Sequence, residues 1–116
     1  NSGKKIALGA SGGRRIFPSV FQTISFLLDY NMDLDNAFTT PRIDYSGENR
    51  ILANEKLNKD IIDNLNNYEK IIEIPDSVLS HAFACPNAVM IDSKGYQYGN
   101  AYIPSPSSAA ISLDSD

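Results

Sequence analysis

The chain has 116 residues, of which 42% are hydrophobic and 21% are charged, so it is about one domain long and can bury a core. Its formal net charge of −4 argues against nucleic-acid binding, which normally needs a basic surface. No segment reaches the ~18 apolar residues that a membrane span requires, and the single cysteine, Cys85, cannot form an internal disulfide.

In chain order, the first half combines a strand pattern with helix patterns. Residues 6–9 are predicted to form a short strand, and the sequence Gly-Ala-Ser-Gly-Gly, here called the glycine turn (residues 9–13), overlaps its end. Apolar residues at near 3.6-residue spacing predict a helix over residues 16–30. Because this helix is apolar on most sides, we expect it to be buried. Asp33 can cap a second, short helix over residues 34–38, which a proline ends.

The second half contains more extended segments. Strands are predicted at residues 42–45, 51–53 and 71–74, and a hairpin over residues 88–101 around Ser-Lys-Gly. An amphipathic helix is predicted between them, over residues 55–68, and its apolar face consists of Leu57, Ile61, Leu65 and Tyr68. A last short apolar run covers residues 109–113. No repeat or linker divides the chain, so we treat residues 1–116 as one segment, of either the α/β or the α+β class.

The glycine turn is the most informative local feature. Glycines let backbone N–H groups converge on one point without side-chain obstruction. The first N–H groups of a helix also lack internal acceptors and lie at the positive end of the helix dipole. Such a turn can hold a phosphate or carboxylate, stabilise the oxyanion of an acyl-transfer intermediate, or simply let a helix pack on a sheet. The phosphate-loop and dinucleotide-binding patterns both fail here.

The only histidine does not define a second site. His81 follows Asp76 and precedes Cys85, but a structural zinc site needs four ligands, usually with more cysteine and histidine than this chain has. A Ser-His-Asp triad that used His81 would lack the Gly-x-Ser-x-Gly elbow. We therefore expect neither a metal nor a cofactor.

Basic residues lie on both sides of the glycine turn. Lys4 and Lys5 precede it, and Arg14 and Arg15 follow it. They could face an acidic substrate, although a solvated rim is the simpler interpretation. Arg42 follows the predicted short helix after Thr-Thr-Pro and could hold a carboxylate within the protein.

The glycine turn and the residues after it carry a family resemblance. Gly-Ala-Ser-Gly-Gly-Arg-Arg-Ile, followed by residues 20–43, resembles the small subunit of the γ-glutamyltranspeptidase family. That family has a Gly-Ser-Pro-Gly-Gly-Ser-Arg-Ile-type turn, then a helix and an Ala-Pro-Arg-Phe-type strand start. The positions that match in order and spacing are Gly9, Gly12, Gly13, Arg15, Ile16, Gln22, Met32, Ala37, Pro41 and Arg42. A weaker match continues through the amphipathic helix and the hairpin, so the resemblance covers most of the chain.

The resemblance implies an α+β fold that is a portion of the four-layer αββα sandwich of N-terminal nucleophile hydrolases, with antiparallel sheets. In this family a precursor cuts itself, and the new N-terminal threonine of the small subunit attacks a γ-glutamyl amide with its own amine as base. Gly12 and Gly13 would then be backbone oxyanion donors. Ser11 and Arg15 would be substrate-binding candidates, and Arg15 would also help to fix the turn. The implied partners are the rest of the small subunit, the large subunit of the same precursor, and a γ-glutamyl compound or related amide.

The chain departs from the family pattern at several positions. It starts at Asn1 and has no N-terminal threonine, Ala10 and Ser11 replace the usual Ser-Pro, and Arg14 replaces a small residue. Residues 103–105 replace an Asp-Pro-Arg-like stretch. We therefore expect the C-terminal part of a small subunit whose nucleophile lies upstream, and we expect this chain alone to be inactive. The alternative is a non-catalytic scaffold or small-anion-binding module of the same fold.

Overall fold

The computed structural model describes residues 3–77, 82–102 and 109–111. The strands in this part of the chain are β1 (Lys5–Ser11), β2 (Ile43–Asp44), β3 (Ile51–Asn54), β4 (Ile71–Ile74), β5 (Cys85–Ile91) and β6 (Gln97–Ala101). The helices are α1 (Ile16–Leu28), α2 (Leu34–Thr39) and α3 (Lys59–Leu65), and a 3₁₀ turn, Gly13–Arg15, leads into α1. The order of strands and helices predicted from the sequence is confirmed.

The first sheet is antiparallel and consists of β1, β5 and β6, with β5 in the middle. Leu8 lies opposite Ala88 in the β1–β5 ladder, so the two side chains point to the same face of the sheet. Helices α1 and α2 pack on this sheet. The hydrophobic core lies between them, and Leu8 packs against its buried residues, which are Leu27, Leu34, Ala37, Phe38 and Ala88.

The second sheet consists of β2, β3 and β4, with β3 in the middle. Strands β2 and β3 are antiparallel, whereas β3 and β4 are parallel. Helix α3 lies between β3 and β4 in the chain and provides the crossover that a parallel pair needs. All of β3, Ile51–Asn54, is buried. The local sequence pattern does not distinguish this parallel pair from an antiparallel one.

Helix α1 buries a partly polar side and exposes an apolar one. Its buried residues are Ser19, Thr23 and Leu27, whereas Phe17 and Phe21 are 77% and 63% exposed and stack on each other. The buried hydroxyl of Thr23 donates a hydrogen bond to the Ser19 carbonyl at 2.9 Å, a pattern that lets threonine sit inside a helix. The expectation of a buried helix is wrong for the described chain, because the elements that pack against α1 cover only one of its sides.

Helix α3 is shorter than predicted, and the face that it buries differs from the predicted one. Its buried residue is Ile62, while Ile61 and Tyr68 from the predicted apolar face are exposed. Asn58 caps the helix, since its side chain accepts a hydrogen bond from the Asp60 N–H at 2.8 Å. The predicted face is wrong because it assumes one helical period over residues 55–68, and the structure places both ends of that range outside the helix.

Gln22 joins helix α1 to the edge of the second sheet. Its side-chain oxygen accepts a hydrogen bond from the Ile43 N–H at 3.0 Å, and its Nε2 donates one to the Ile43 carbonyl at 2.8 Å. One amide side chain thus pairs with both backbone groups of one residue. Because α1 also packs on β1 and β5, this Gln22–Ile43 pairing positions strand β2 relative to the first sheet.

Replacing Gln22 with Leu should lower the free energy of unfolding by about 1–3 kcal/mol, because the backbone N–H and C=O of Ile43 would lose their partners. Urea denaturation of the intact protein that contains this chain measures the change. Gln97→Leu, at an exposed position of β6, is the control and should leave the unfolding midpoint nearly unchanged. Equal midpoints for the two variants would contradict a structural role of the Gln22–Ile43 pairing.

Candidate functional site

The glycine turn connects the end of a strand to the start of a helix. Strand β1 ends at Ser11, and the 3₁₀ turn that begins at Gly13 continues into α1. Gly12 has a φ of 144° and Gly13 a φ of 60°. Backbone angles in this range are open to glycine and strained for other residues. The path of the chain therefore favours glycine at both positions.

Gly12 has a second reason to be glycine, which is its close contact with Ala84. A Cβ atom at position 12 would lie 2.7 Å from the Cβ of Ala84. Ala84 is fully buried and has a φ of 55°, so it cannot easily move away. By contrast, apart from its neighbours in the chain, no described residue lies within 4 Å of a Cβ built at Gly13. Gly12 therefore packs against the segment before β5, and Gly13 borders open space.

The two glycines lie at the point where the 3₁₀ turn begins. Among the described residues, neither the Gly12 nor the Gly13 N–H donates a turn, loop or cap hydrogen bond, which is usual for the first donors of a helix. Both glycines are exposed, and the 13-residue helix α1 adds the positive end of its dipole. The N–H groups of this turn can therefore donate hydrogen bonds to an anionic oxygen.

Arg15 connects the turn to the second sheet. Its Nε lies 3.6 Å from Oδ2 of Asp44, which is only 4% exposed. Ser46 donates a hydrogen bond to the same oxygen at 2.8 Å. No sequence pattern singles out Asp44, although a buried acidic residue usually needs a cationic partner. Contact of Arg15, or of the exposed Ser11, with a substrate stays a prediction.

The neighbouring basic residue, Arg14, is paired at the surface. Arg14 and Arg50 both form ion pairs with Glu48. The hydrogen bond from Arg14, together with the charges of both arginines, lowers the pKa of the Glu48 carboxyl. Exposed pairs of this kind contribute little to stability, but this one holds Arg14 against Glu48 at the surface. For Arg14, the solvated-rim interpretation therefore fits better than a substrate-facing one.

Arg42 forms a second polar arrangement. It is 4% exposed, its guanidinium carbon lies 5.2 Å from the ring centroid of Tyr102, and both residues line a cavity of about 200 Å³. Burial lowers the pKa of Arg42 and raises the pKa of Tyr102. Among the described residues, no carboxylate forms an ion pair with Arg42, so the carboxylate partner suggested by the sequence is not found there.

Several other sequence-based expectations concern residues that the structure does not describe. His81 and residues 103–105 lie outside the described ranges, as does the end of the apolar run at 109–113. Within those ranges, no group of three or more His, Cys, Asp or Glu residues could hold a metal ion. In the same part of the chain, every helix is too short or too polar to span a bilayer.

The family model described as Gamma-glutamyltranspeptidase matches residues 1–109. The chain therefore belongs to the γ-glutamyltranspeptidase family. The resemblance inferred from the glycine turn and the residues after it is confirmed. No curated protein has a significant sequence match to the chain.

Solved structures of the same family are similar to this fold. A mutant of Helicobacter pylori γ-glutamyltranspeptidase has a TM-score of 0.71 and 27% identity, over 85% of this chain and 53% of its own. Bacillus anthracis transpeptidase CapD has a TM-score of 0.79 and 16% identity, over 97% of this chain and 66% of its own. A mutant of Pseudomonas nitroreducens γ-glutamyltranspeptidase has a TM-score of 0.70 and 19% identity, over 96% of this chain and 55% of its own.

These matches confirm the fold class. The chain is α+β, with an antiparallel first sheet, and it forms a portion of the αββα N-terminal nucleophile hydrolase sandwich. It spans 53% of the Helicobacter pylori relative, about half of that chain.

Alanine at each glycine separates the two constraints on the turn. Gly13→Ala adds backbone strain of about 1–2 kcal/mol, because a φ of 60° lies in the left-handed region. Gly12→Ala adds more strain, because a φ of 144° lies outside that region, and it also adds a clash with Ala84. Urea denaturation of the intact protein should therefore show a clearly larger loss for Gly12→Ala. Adding Ala84→Gly to Gly12→Ala should recover part of the loss by removing the contact with the Ala84 Cβ at 2.7 Å, while the contact with the Ala84 Cα at 2.9 Å remains. Equal losses for the two single variants, with no recovery in the double variant, would contradict the packing role of Gly12.

Proposed function

We propose that the chain is the C-terminal part of the small subunit of a γ-glutamyltranspeptidase-like amide hydrolase or acyltransferase. In this proposal Gly12 and Gly13 donate the backbone hydrogen bonds of the oxyanion hole, and the substrate is a γ-glutamyl compound or a related amide. One observation carries it: the exposed residues Gly12 and Gly13 lie where the 3₁₀ turn leads into α1, and their N–H groups have no turn, loop or cap acceptor among the described residues, in a chain of this family.

The proposed reaction begins when a threonine hydroxyl attacks the amide carbonyl and the amine of the same threonine takes up the hydroxyl proton. The carbonyl oxygen gains negative charge as the tetrahedral intermediate forms. Preorganised N–H donors stabilise this charge more than they stabilise the neutral carbonyl, which lowers the barrier. The amine leaves with the proton, and water or an amine acceptor then removes the acyl group. The ion pair between Arg15 and Asp44 supports the mechanism by holding the turn in place.

The rest of the catalytic unit is proposed to come from other parts of the same precursor. These are the upstream threonine, the remaining small subunit and the large subunit. The chain covers 53% of the Helicobacter pylori relative, which leaves room for them. The exposed Phe17 and Phe21 on α1 support such partners, because large apolar patches commonly mark interaction surfaces.

A second candidate is a non-catalytic scaffold or small-anion-binding module with the same fold. The contact between Gly12 and Ala84 favours it, because packing alone is a sufficient reason for glycine at position 12. Gly13 has no comparable contact with a described residue. A test of the oxyanion role is therefore cleanest at Gly13.

Replacing Gly13 with glycolic acid converts its N–H into an ester oxygen and adds no side chain. In the intact protein, turnover of a γ-glutamyl anilide should fall about 10²–10³-fold in kcat, because one oxyanion donor is lost, and KM should change little. Gel electrophoresis of the same samples shows whether the precursor was cut, so that failed maturation is not mistaken for lost catalysis.

The matched control is the same replacement at Gly47, an exposed glycine with a φ of 95° and no described residue within 4 Å of a Cβ built there. This variant should keep normal turnover. A processed Gly13 ester with normal kcat would refute the oxyanion role. A wild-type protein that shows no anilide release would favour the scaffold candidate.

The 116-residue chain by itself is proposed to be inactive, because none of its threonines is N-terminal. Incubation of this chain with the γ-glutamyl anilide should release no aniline above the buffer rate. Release at a rate that scales with the concentration of the chain would mean that the nucleophile lies within these residues.

A further inference from the structure

Arg42 lines the cavity beside Tyr102 as a buried cation that forms no ion pair with a described residue. The Nε and Nη1 atoms of Arg42 are buried and have no hydrogen-bond partner among the described residues. Arginine keeps its charge in proteins, and a buried charge without a partner costs several kcal/mol. The ring of Tyr102 at 5.2 Å offers a cation–π contact, which offsets only part of such a cost.

Asp76, the acidic residue that lines the same cavity, already forms an ion pair with Lys56. Oδ2 of Asp76 accepts a hydrogen bond from Nζ of Lys56 at 2.6 Å, and this bond raises the pKa of Lys56. Two stretches outside the described residues adjoin the cavity in sequence, 78–81 and 103–108, and neither contains Asp or Glu. Burial lowers the pKa of the Arg42 guanidinium, and the charge of Asp76 still acts in the opposite direction and raises it, but Asp76 forms no ion pair with Arg42. A carboxylate that is hydrogen-bonded to Arg42 would therefore have to come from another group.

The walls of the cavity limit what can enter it. Its volume of about 200 Å³ is below the ~300–1,000 Å³ of pockets for drug-sized ligands. Phe38, Phe83 and Tyr102 provide apolar walls. The hydroxyls of Thr39 and Thr40, which also line the cavity, donate to helix carbonyls of Asp35 and Asn36. The cavity thus offers space for one small planar anion beside one guanidinium.

We propose that this cavity binds one carboxylate group, with Arg42 as its cationic partner. A carboxylate fits because its two oxygens can accept parallel hydrogen bonds from a guanidinium. The group has two possible sources with the same chemistry, a free small carboxylate such as glutamate or an Asp or Glu side chain of the intact protein. This site shares no residue with the glycine turn and does not depend on the proposed oxyanion role.

Crystal structures of the intact protein test the proposal directly. One crystal form is grown in chloride without any carboxylate buffer, and a second with added glutamate. A side-chain carboxylate hydrogen-bonded to Arg42 in both crystals identifies the polypeptide source. Glutamate bound there in the second crystal alone identifies the free source. Water or chloride in the cavity of both crystals overturns the proposal.

Urea denaturation of the intact protein gives a second readout, with Arg42→Met and Arg42→Lys as variants and the exposed Arg50→Met as control. With a polypeptide carboxylate, Arg42→Met lowers the unfolding midpoint because it leaves that carboxylate unpaired, and Arg42→Lys restores part of it. With a free carboxylate, glutamate added at constant ionic strength raises the unfolding midpoint of the wild type. The Arg42→Met variant then needs at least ten times more glutamate for the same rise. If Arg42→Met raises the midpoint and glutamate has no effect, the cavity is not a carboxylate site.

Discussion

The pairing of the Gln22 amide with the backbone of Ile43 is the interaction on which the arrangement of the two sheets depends. In the described part of the chain the two sheets share no strand, and helix α1, which packs on β1 and β5 and contacts β2, links them. Once Ile43 is placed, the next residue, Asp44, lies beside Arg15. An amide about two helical turns further along α1 therefore helps to determine where the glycine turn lies.

Gly12 and Gly13 meet different structural requirements of the turn. Gly12 lets the backbone approach a fully buried alanine, which is a packing requirement, whereas Gly13 leaves its surroundings open. The packing of Gly12 is therefore compatible with the proposed binding of an anion at the neighbouring Gly13. The first residue brings the turn against the segment before β5, and the second is exposed near the positive end of a helix. This division explains why sequence reasoning alone leaves both interpretations of the turn open.

The sequence predicts much of this structure wherever the determining interactions are local. Helical periodicity predicts α1, glycine predicts the turn, and Asp33 predicts the cap of α2, where it accepts a hydrogen bond from the Asn36 N–H at 2.7 Å. The ordered motif from Gly9 to Arg42 also predicts the family. These features depend on neighbours in the chain or on fixed spacing, so a single sequence contains the information.

Other features depend on contacts between distant residues and could not be predicted in this way. An almost wholly apolar helix does not reveal which of its sides a sheet will cover, so the exposure of Phe17 was not expected. The pairing of Arg15 with Asp44 and the stacking of Arg42 on Tyr102 join residues far apart in the chain. Such pairs become visible only once the strands are placed.

The contact between Gly12 and Ala84 has a consequence for how this sequence can vary. A side chain larger than that of alanine at position 84 would push into the turn, and any side chain at position 12 would push into Ala84. Because the Ala84 Cα also lies 2.9 Å from a Cβ built at Gly12, a smaller residue at position 84 would not make room for a side chain at position 12. Among homologues with this geometry, position 12 should stay glycine and position 84 should hold alanine or glycine, although more than 70 residues separate them in the chain.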